Sequence, residues 1–369
     1  MSSDYLITRN RGFTGLSSFN LDGLIGRLVN TSQDTRGKTV SYAVRPAYLS
    51  DAERYSHIIH VLLFLSQTIA TRTVMSPLRA DVFTTPSIPF AIPGGKPGQQ
   101  SHWSPTTATL ISGEREAILV DTLWTVQQAN NLADWIERTI PGKRLTTVYI
   151  THGHGDHFLG LKTLRKRFPG FQTLATPRVI ARMKKELEPK YFQRAWGSLF
   201  PNQIDHDSVL PEELGDSNTL SLEGHVLQVH EAGDSDTTDT TFLHIPDLNL
   251  IVAGDIVYND VHPFLGEAAT PERRRSWLAC LEKIAKLNPH TVIAGHKRDG
   301  AVDGSNNVQA TIEYIETFEI MLLQTKDAIE LFQRMSEKYP TRINPQALTV
   351  SCRNAWSAKK KAEKTVTKL

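Results

Sequence analysis

The stretch Thr151-His152-Gly153-His154-Gly155-Asp156-His157 constrains this chain more than any other. Three histidines and an aspartate fall within six residues, straight after the apolar run Leu145 to Ile150. Such a run reads as a buried strand. A strand ending in ligating side chains delivers them to the carboxyl edge of a sheet, where open α/β folds keep their sites. Gly153 and Gly155 are expected to let the backbone turn tightly enough to aim several side chains at one point. Imidazole nitrogens beside a hard carboxylate suit Zn²⁺, with Fe or Mn as less selective alternatives.

Two further apolar strands end in the same way. Leu250 to Ala253 runs into Gly254-Asp255, and Val292 to Ala294 runs into Gly295-His296. An acid or a histidine at the tip of a buried strand, beside a turn glycine, is placed to ligate. Tyr258 follows Asp255 by three residues, and His262 lies on the next loop, where it is expected to line the substrate pocket.

Together these motifs resemble those of the metallo-β-lactamase superfamily, over roughly residues 103 to 300. The resemblance implies that His152 and His154 hold a first metal, that Asp156, His157 and His296 hold a second, and that Asp255 bridges them. It also implies a departure. In Glu231-Ala232-Gly233-Asp234-Ser235-Asp236-Thr237, where the family usually has Gly-His-Thr or Gly-His-Ser, this chain has Asp234. A carboxylate is a legitimate zinc ligand, so Asp234 is expected to close the first site, with His230 as the fallback. Asp236 and Asp239 are then carboxylates that orient ligating histidines. A Ca²⁺ loop is not expected, because the turn glycine and closing glutamate are missing.

The implied chemistry is a metal-dependent hydrolase with two Zn²⁺ ions, which opens a cyclic ester or amide (a lactone or lactam) by attack of a metal-bridging hydroxide. Asp156 would accept the attacking group's hydrogen bond. Tyr258 would stabilise the oxyanion, as a tyrosine at this offset does in relatives resembling acyl-homoserine-lactone lactonases. No protein nucleophile is evident, since Gly233-Asp234-Ser235-Asp236-Thr237 lacks the second glycine of a G-x-S-x-G elbow. The alternatives are a glyoxalase II-like thioester hydrolase, a mononuclear iron dioxygenase of the same fold, and a non-catalytic metal-binding scaffold.

Around the motifs the pattern is α/β. A hairpin is predicted over Thr107 to Ser112 and Ala117 to Val120, then a helix over Val126 to Ile140, the motif strand, and helices over Leu159 to Phe168 and Pro177 to Trp196. A second β set spans Leu220 to Ala253, followed by a helix over Pro271 to Leu287 and a strand over Thr291 to Ala294. Two sheets with helices outside account for this order, and the family's αββα sandwich has that layout. The expected organisation is an N-terminal extension at 1–80, a catalytic domain at 81–302, C-terminal helices at 303–350 and a fraying basic tail at 351–369. Within the extension, residues up to about Ala47 are expected to be partly ordered at best, and a helix is expected from Ser50 through Ala70. His57 and His60 on that helix are read as packed or surface residues. Pro86 to Pro105 reads as a lead-in loop.

Composition narrows the partners. A net charge of +2 gives no reason to expect nucleic acid, and the longest apolar run, Ile58 to Leu65, is too short to cross a bilayer. Cys280 and Cys352 are too few for a disulfide framework, which with no signal peptide points to a reducing, cytoplasmic setting. The expected partner is a small-molecule substrate; a dimer is compatible with the sequence but not specified by it.

Overall fold

Alternation along the strands sorts the apolar side chains into three cores and so sets the architecture. The computed structural model describes residues 29–33, 39–43, 77–92, 100–205 and 207–366. The helix expected from Ser50 to Ala70, with His57 and His60, lies outside the described residues. Within residues 1–74, Val29–Gln33 (β1) and Thr39–Ala43 (β2) pair antiparallel, Val29 opposite Ala43.

From residue 77 onward, one six-stranded sheet contains Arg79–Thr84 (β3), Thr107–Ser112 (β6), Glu116–Val120 (β7), Arg144–Tyr149 (β8), Gln172–Ala175 (β9) and Glu212–Glu213 (β10). Its order is β10-β9-β8-β7-β6-β3, parallel from β10 to β7 and antiparallel from β7 to β3. Ile88–Ala91 (β4) and Gln100–Trp103 (β5) form a separate antiparallel hairpin. A second sheet has the order β11-β12-β13-β14-β16, built from Thr219–Leu222 (β11), His225–Gly233 (β12), Thr240–Ile245 (β13), Leu250–Val252 (β14) and Thr291–Ile293 (β16). Tyr258–Asn259 (β15) and His296–Lys297 (β17) pair parallel beside it.

On β7, Ile118 and Val120 face the space between the two sheets, whereas Ala117 and Leu119 face helices. On β14, Leu250 and Val252 face between the sheets and Ile251 faces the opposite helical layer. That period-2 split, apolar on both faces, requires a sheet covered on both sides. The first helical layer includes Val126–Thr139 (α1), Gly155–Phe158 (α2), Leu161–Arg167 (α3), Pro177–Glu186 (α4) and Pro189–Phe192 (α5). The second includes Pro271–Lys286 (α6), Asn306–Gln324 (α7), Ala328–Lys338 (α8) and Pro345–Val366 (α9). The αββα sandwich expected from the sequence is the observed fold, with the C-terminal helices added to its second helical layer.

Two local expectations need correction. The lead-in region is not loop throughout, because Ile88–Ala91 and Gln100–Trp103 pair as strands and Phe90 and Trp103 pack edge-to-face. Among the C-terminal helices, α7 gives way to α8 at Asp327, whose side chain accepts hydrogen bonds from the backbone N–H groups of Ile329 and Glu330. The basic tail does not fray from residue 351. It continues α9, because Leu348, Cys352 and Ala355 recur at helical spacing and are buried.

Candidate metal centre

Three strand ends and one loop converge on a single buried cluster. Strand β8 leads into the loop that presents His152 and His154 and then into α2, which carries Asp156 and His157. Strand β14 leads into Asp255, β16 leads into His296, and the loop between β12 and β13 supplies Asp236. His152, His154, Asp236 and Asp255 each offer a ligand atom within 4.8 Å of the others, and so do Asp156, His157 and His296. Asp255 links the two groups, with Oδ1 3.2 Å from His157 Nε2 and Oδ2 3.1 Å from His296 Nε2.

The expected ligand Asp234 is not in this cluster. Its carboxylate pairs with Arg273 at 2.6 Å and accepts a hydrogen bond from the Asp239 N–H at 3.1 Å. Asp236, expected only to orient a histidine, is fully buried with Oδ2 2.7 Å from His154 Nδ1 and 3.8 Å from His152 Nε2. The two acids have exchanged places. His230 stays on β12, stacked on Phe242, away from the cluster. Asp239 pairs with the exposed Arg178 and orients no histidine of the cluster.

Hydrogen bonds on the outer side of each ring decide which nitrogen faces inward. Asp121 Oδ2 accepts from His157 Nδ1 at 2.8 Å. The Pro105 carbonyl, which can only accept, takes the Nδ1–H of His296 at 3.0 Å. Thr151 Oγ1 donates to Asp121 at 2.8 Å, so it accepts from His152 Nδ1 at 2.9 Å. Glu267 Oε1 accepts from His154 Nε2 at 3.3 Å. Each ring therefore keeps its other nitrogen for the cluster centre.

Among the described residues, His152 Nε2, His157 Nε2, Asp236 Oδ2 and Asp255 Oδ1 are buried without a hydrogen-bond partner. Lone pairs that crowd together without aiming at one another's protons fit a set of cation ligands, since unpaired buried polar atoms are otherwise costly. The electrostatics agree. Burial would raise the Asp255 carboxyl, but His296 and His157 hold it well below the usual carboxylate range. Burial and the neighbouring His157 push His152 well below the usual imidazole value. His154 is driven the other way: burial would lower it, but the Asp236 charge raises it well above. A cation between His154 and Asp236 would displace that proton.

Several contributors were not singled out from the sequence. Asp121 ends β7 as Asp255 follows β14, so the strand-tip rule applied to Ala117 to Val120 would have found it. Trp103 Nε1 donates to Asp156 Oδ2 at 3.0 Å, and Glu267 and Arg182 have no local signature. Tyr258 is buried and donates its hydroxyl to Asp255 Oδ2 at 2.7 Å, so it does not face an opening. His262 is not a pocket wall. It is buried against Tyr314, Nδ1 to Oη 2.9 Å, because Val261 beside it and Tyr314 belong to the second helical core. Nor do Gly153 and Gly155 adopt left-handed backbone angles. They are needed for space, since a Cβ at 153 would meet the Arg182 side chain and one at 155 the Trp196 ring.

This chain is similar to known proteins. The sequence profile described as "Metallo-beta-lactamase superfamily" matches residues 102–296, which include the whole cluster. A type 2 metallo-beta-lactamase of Bacteroides fragilis is 24% identical over 217 residues, 58% of this chain and 78% of that protein. A shorter likeness, 38% identity over 58 residues, links 16% of this chain to 9% of the alkyl/aryl-sulfatase BDS1 of Saccharomyces cerevisiae. Among solved structures, a metallo-beta-lactamase family protein of Thermus thermophilus superposes with a TM-score of 0.54 at 18% identity, covering 76% of this chain and 94% of the other. Among the described residues no helix is long and apolar enough to cross a membrane. The profile spans more than half of the 369 residues and the αββα layers match, so the chain belongs to the metallo-beta-lactamase superfamily and is a hydrolase of that fold.

Proposed function

We propose that this chain opens a cyclic ester or amide, a lactone or lactam, at a pair of divalent metal ions. One observation carries the reading: four inward imidazole nitrogens and three carboxylates converge, each ring tied on its outer side to an acceptor. This donor set fits two Zn²⁺ ions, and Fe or Mn can use the same atoms. His152, His154 and Asp236 would hold one ion, Asp156, His157 and His296 the other, with Asp255 between them. Metal ions held there would supply Lewis-acid polarisation of an acyl group and a water acidic enough to ionise near neutral pH.

The chain's own residues fix the geometry. Trp103 donates to Oδ2 of Asp156 and Tyr258 to Oδ2 of Asp255, which fixes the direction of both carboxylates. Tyr258 is thus a positioning residue for Asp255 rather than a donor to substrate. The free, buried Cys280 and Cys352 fit a reducing compartment such as the cytoplasm. The short likeness to an alkyl/aryl-sulfatase favours a second reading, hydrolysis of a sulfate ester at the same centre.

The test is metal content together with turnover of a panel containing a lactone, a lactam, a thioester and an alkyl sulfate. Two equivalents of metal with lactone or lactam turnover, abolished in Asp255→Ala, is the expected result. Turnover of the alkyl sulfate alone would select the second reading. A single iron without hydrolysis would move the assignment to redox chemistry, and no bound metal would overturn it.

A further inference from the structure

Behind His154 lies a polar network reaching three separate chain segments. Arg182, on α4, is 7% exposed, and its guanidinium is shared four ways. Nη1 pairs with Glu186 at 2.8 Å, Nη2 pairs with Glu267 at 2.8 Å and donates to Tyr191 Oη at 3.4 Å, and Nε donates to Thr237 Oγ1 at 2.9 Å. The Thr237 hydroxyl in turn donates to Glu267 Oε2 at 2.8 Å. Both oxygens of Glu267 are thereby fixed, and Oε1 also receives the His154 ring N–H. The Arg182 stem packs where Gly153 lacks a side chain, so the same residue presses on the loop carrying His152 and His154.

We infer that Arg182 and Glu267 form a positioning clamp for the His152–His154–Asp236 half of the centre, acting on His154 through its Nε2 and on Asp236 through the adjacent Thr237. This rests on the metal-hydrolase reading above. A buried guanidinium is retained only when its donors are satisfied, and here the acceptors come from α4, from α5, from the loop before β13 and from the loop after β15. Glu267 holds the His154 ring in one tautomer, which leaves Nδ1 facing Asp236. On the other half, Asp121 takes the His157 ring N–H and Trp103 donates to Asp156, and neither residue hydrogen-bonds Arg182 or Glu267. The clamp's own hydrogen bonds therefore reach the centre at His154 and at Thr237, both on the same half.

The experiment titrates Co²⁺ into metal-depleted full-length protein, following its visible absorption and competition with a chelator. Wild type is compared with Glu267→Ala, Glu267→Gln and Thr237→Val. The expected result is two equivalents in every protein, one bound about 10–100-fold more weakly in Glu267→Ala and with an altered spectrum. Glu267→Gln, which keeps an acceptor for His154, should recover part of that loss, and Thr237→Val should weaken the same equivalent less. Two equivalents bound by Glu267→Ala and Glu267→Gln as tightly as by wild type would overturn the clamp. Parallel weakening of both equivalents with a fall in metal-free melting temperature would overturn it too, showing a general structural role. No Co²⁺ uptake by wild type would instead overturn the metal-hydrolase reading itself.

Discussion

Asp236 Oδ2 lies 2.7 Å from His154 Nδ1, two residues along from an aspartate that Arg273 has turned outward. The loop between β12 and β13 sorts its acids by what is available to meet them. Asp234 is 33% exposed and finds a cation at the surface. Asp236 is fully buried, with Ser235 Oγ donating to its Oδ1 at 2.8 Å and Oδ2 left for the centre.

These two acids should therefore respond in opposite ways. Asp236→Ala should lose one of two metal equivalents and nearly all turnover, whereas Asp234→Ala should keep both and lose only the exposed pair with Arg273, worth about 1 kcal/mol or less. Metal analysis by mass spectrometry beside kinetic assays decides the matter. Loss of metal in Asp234→Ala alone would reinstate that residue as the ligand.

Tyr258→Phe removes the hydroxyl that holds Asp255 while keeping the ring stacked on His296 at 5.5 Å. The expected effect is a fall of about 10–100-fold in kcat or in metal affinity with KM little changed. A raised KM with intact kcat would show that the hydroxyl contacts substrate instead.

His262 makes stability depend on pH away from the metal centre. Burial, with a smaller contribution from Arg342, pushes its pKa down to about 4, against about 6.5 in the unfolded chain. The folded state thus excludes a proton that the unfolded state binds, so the stability is fully present above the unfolded value and is lost as pH falls toward the folded one. Denaturant unfolding of metal-free His262→Gln, compared with metal-free wild type, should show a loss of about 2 kcal/mol between about pH 7.5 and about pH 5 in wild type only. Equal losses in both proteins would remove His262 as the cause.

Glu223 ties the two sheets together at their turns. From the β11–β12 turn, its carboxylate accepts the backbone N–H groups of Glu114, Arg115 and Glu116 at 2.9, 2.6 and 2.8 Å. Glu223→Ala should cost about 1–3 kcal/mol, read as a lower urea midpoint at unchanged slope, and Glu223→Gln should cost less. An unaltered midpoint in the alanine variant would mean that water replaces the carboxylate fully.

Local periodicity controls the part of the fold and of the centre that is readable from the chain alone. The runs Ala117 to Val120, Leu145 to Ile150 and Leu250 to Ala253 are strands apolar on both faces, which requires a covered sheet. His152, His154, Asp156, His157, Asp255 and His296 were legible because they lie just past the ends of such strands, where the ladder and the pleat set the direction of the chain. Whatever lies on irregular backbone was settled by tertiary packing instead. Which of Asp234 and Asp236 points inward depends on Arg273, on a helix 39 residues further along the chain. His262 turns to Tyr314 because α7 packs there, and Glu267 reaches His154 only because Arg182 and Thr237 hold it. A strand fixes its side-chain directions through its own hydrogen-bond ladder, whereas a loop takes them from partners remote in sequence.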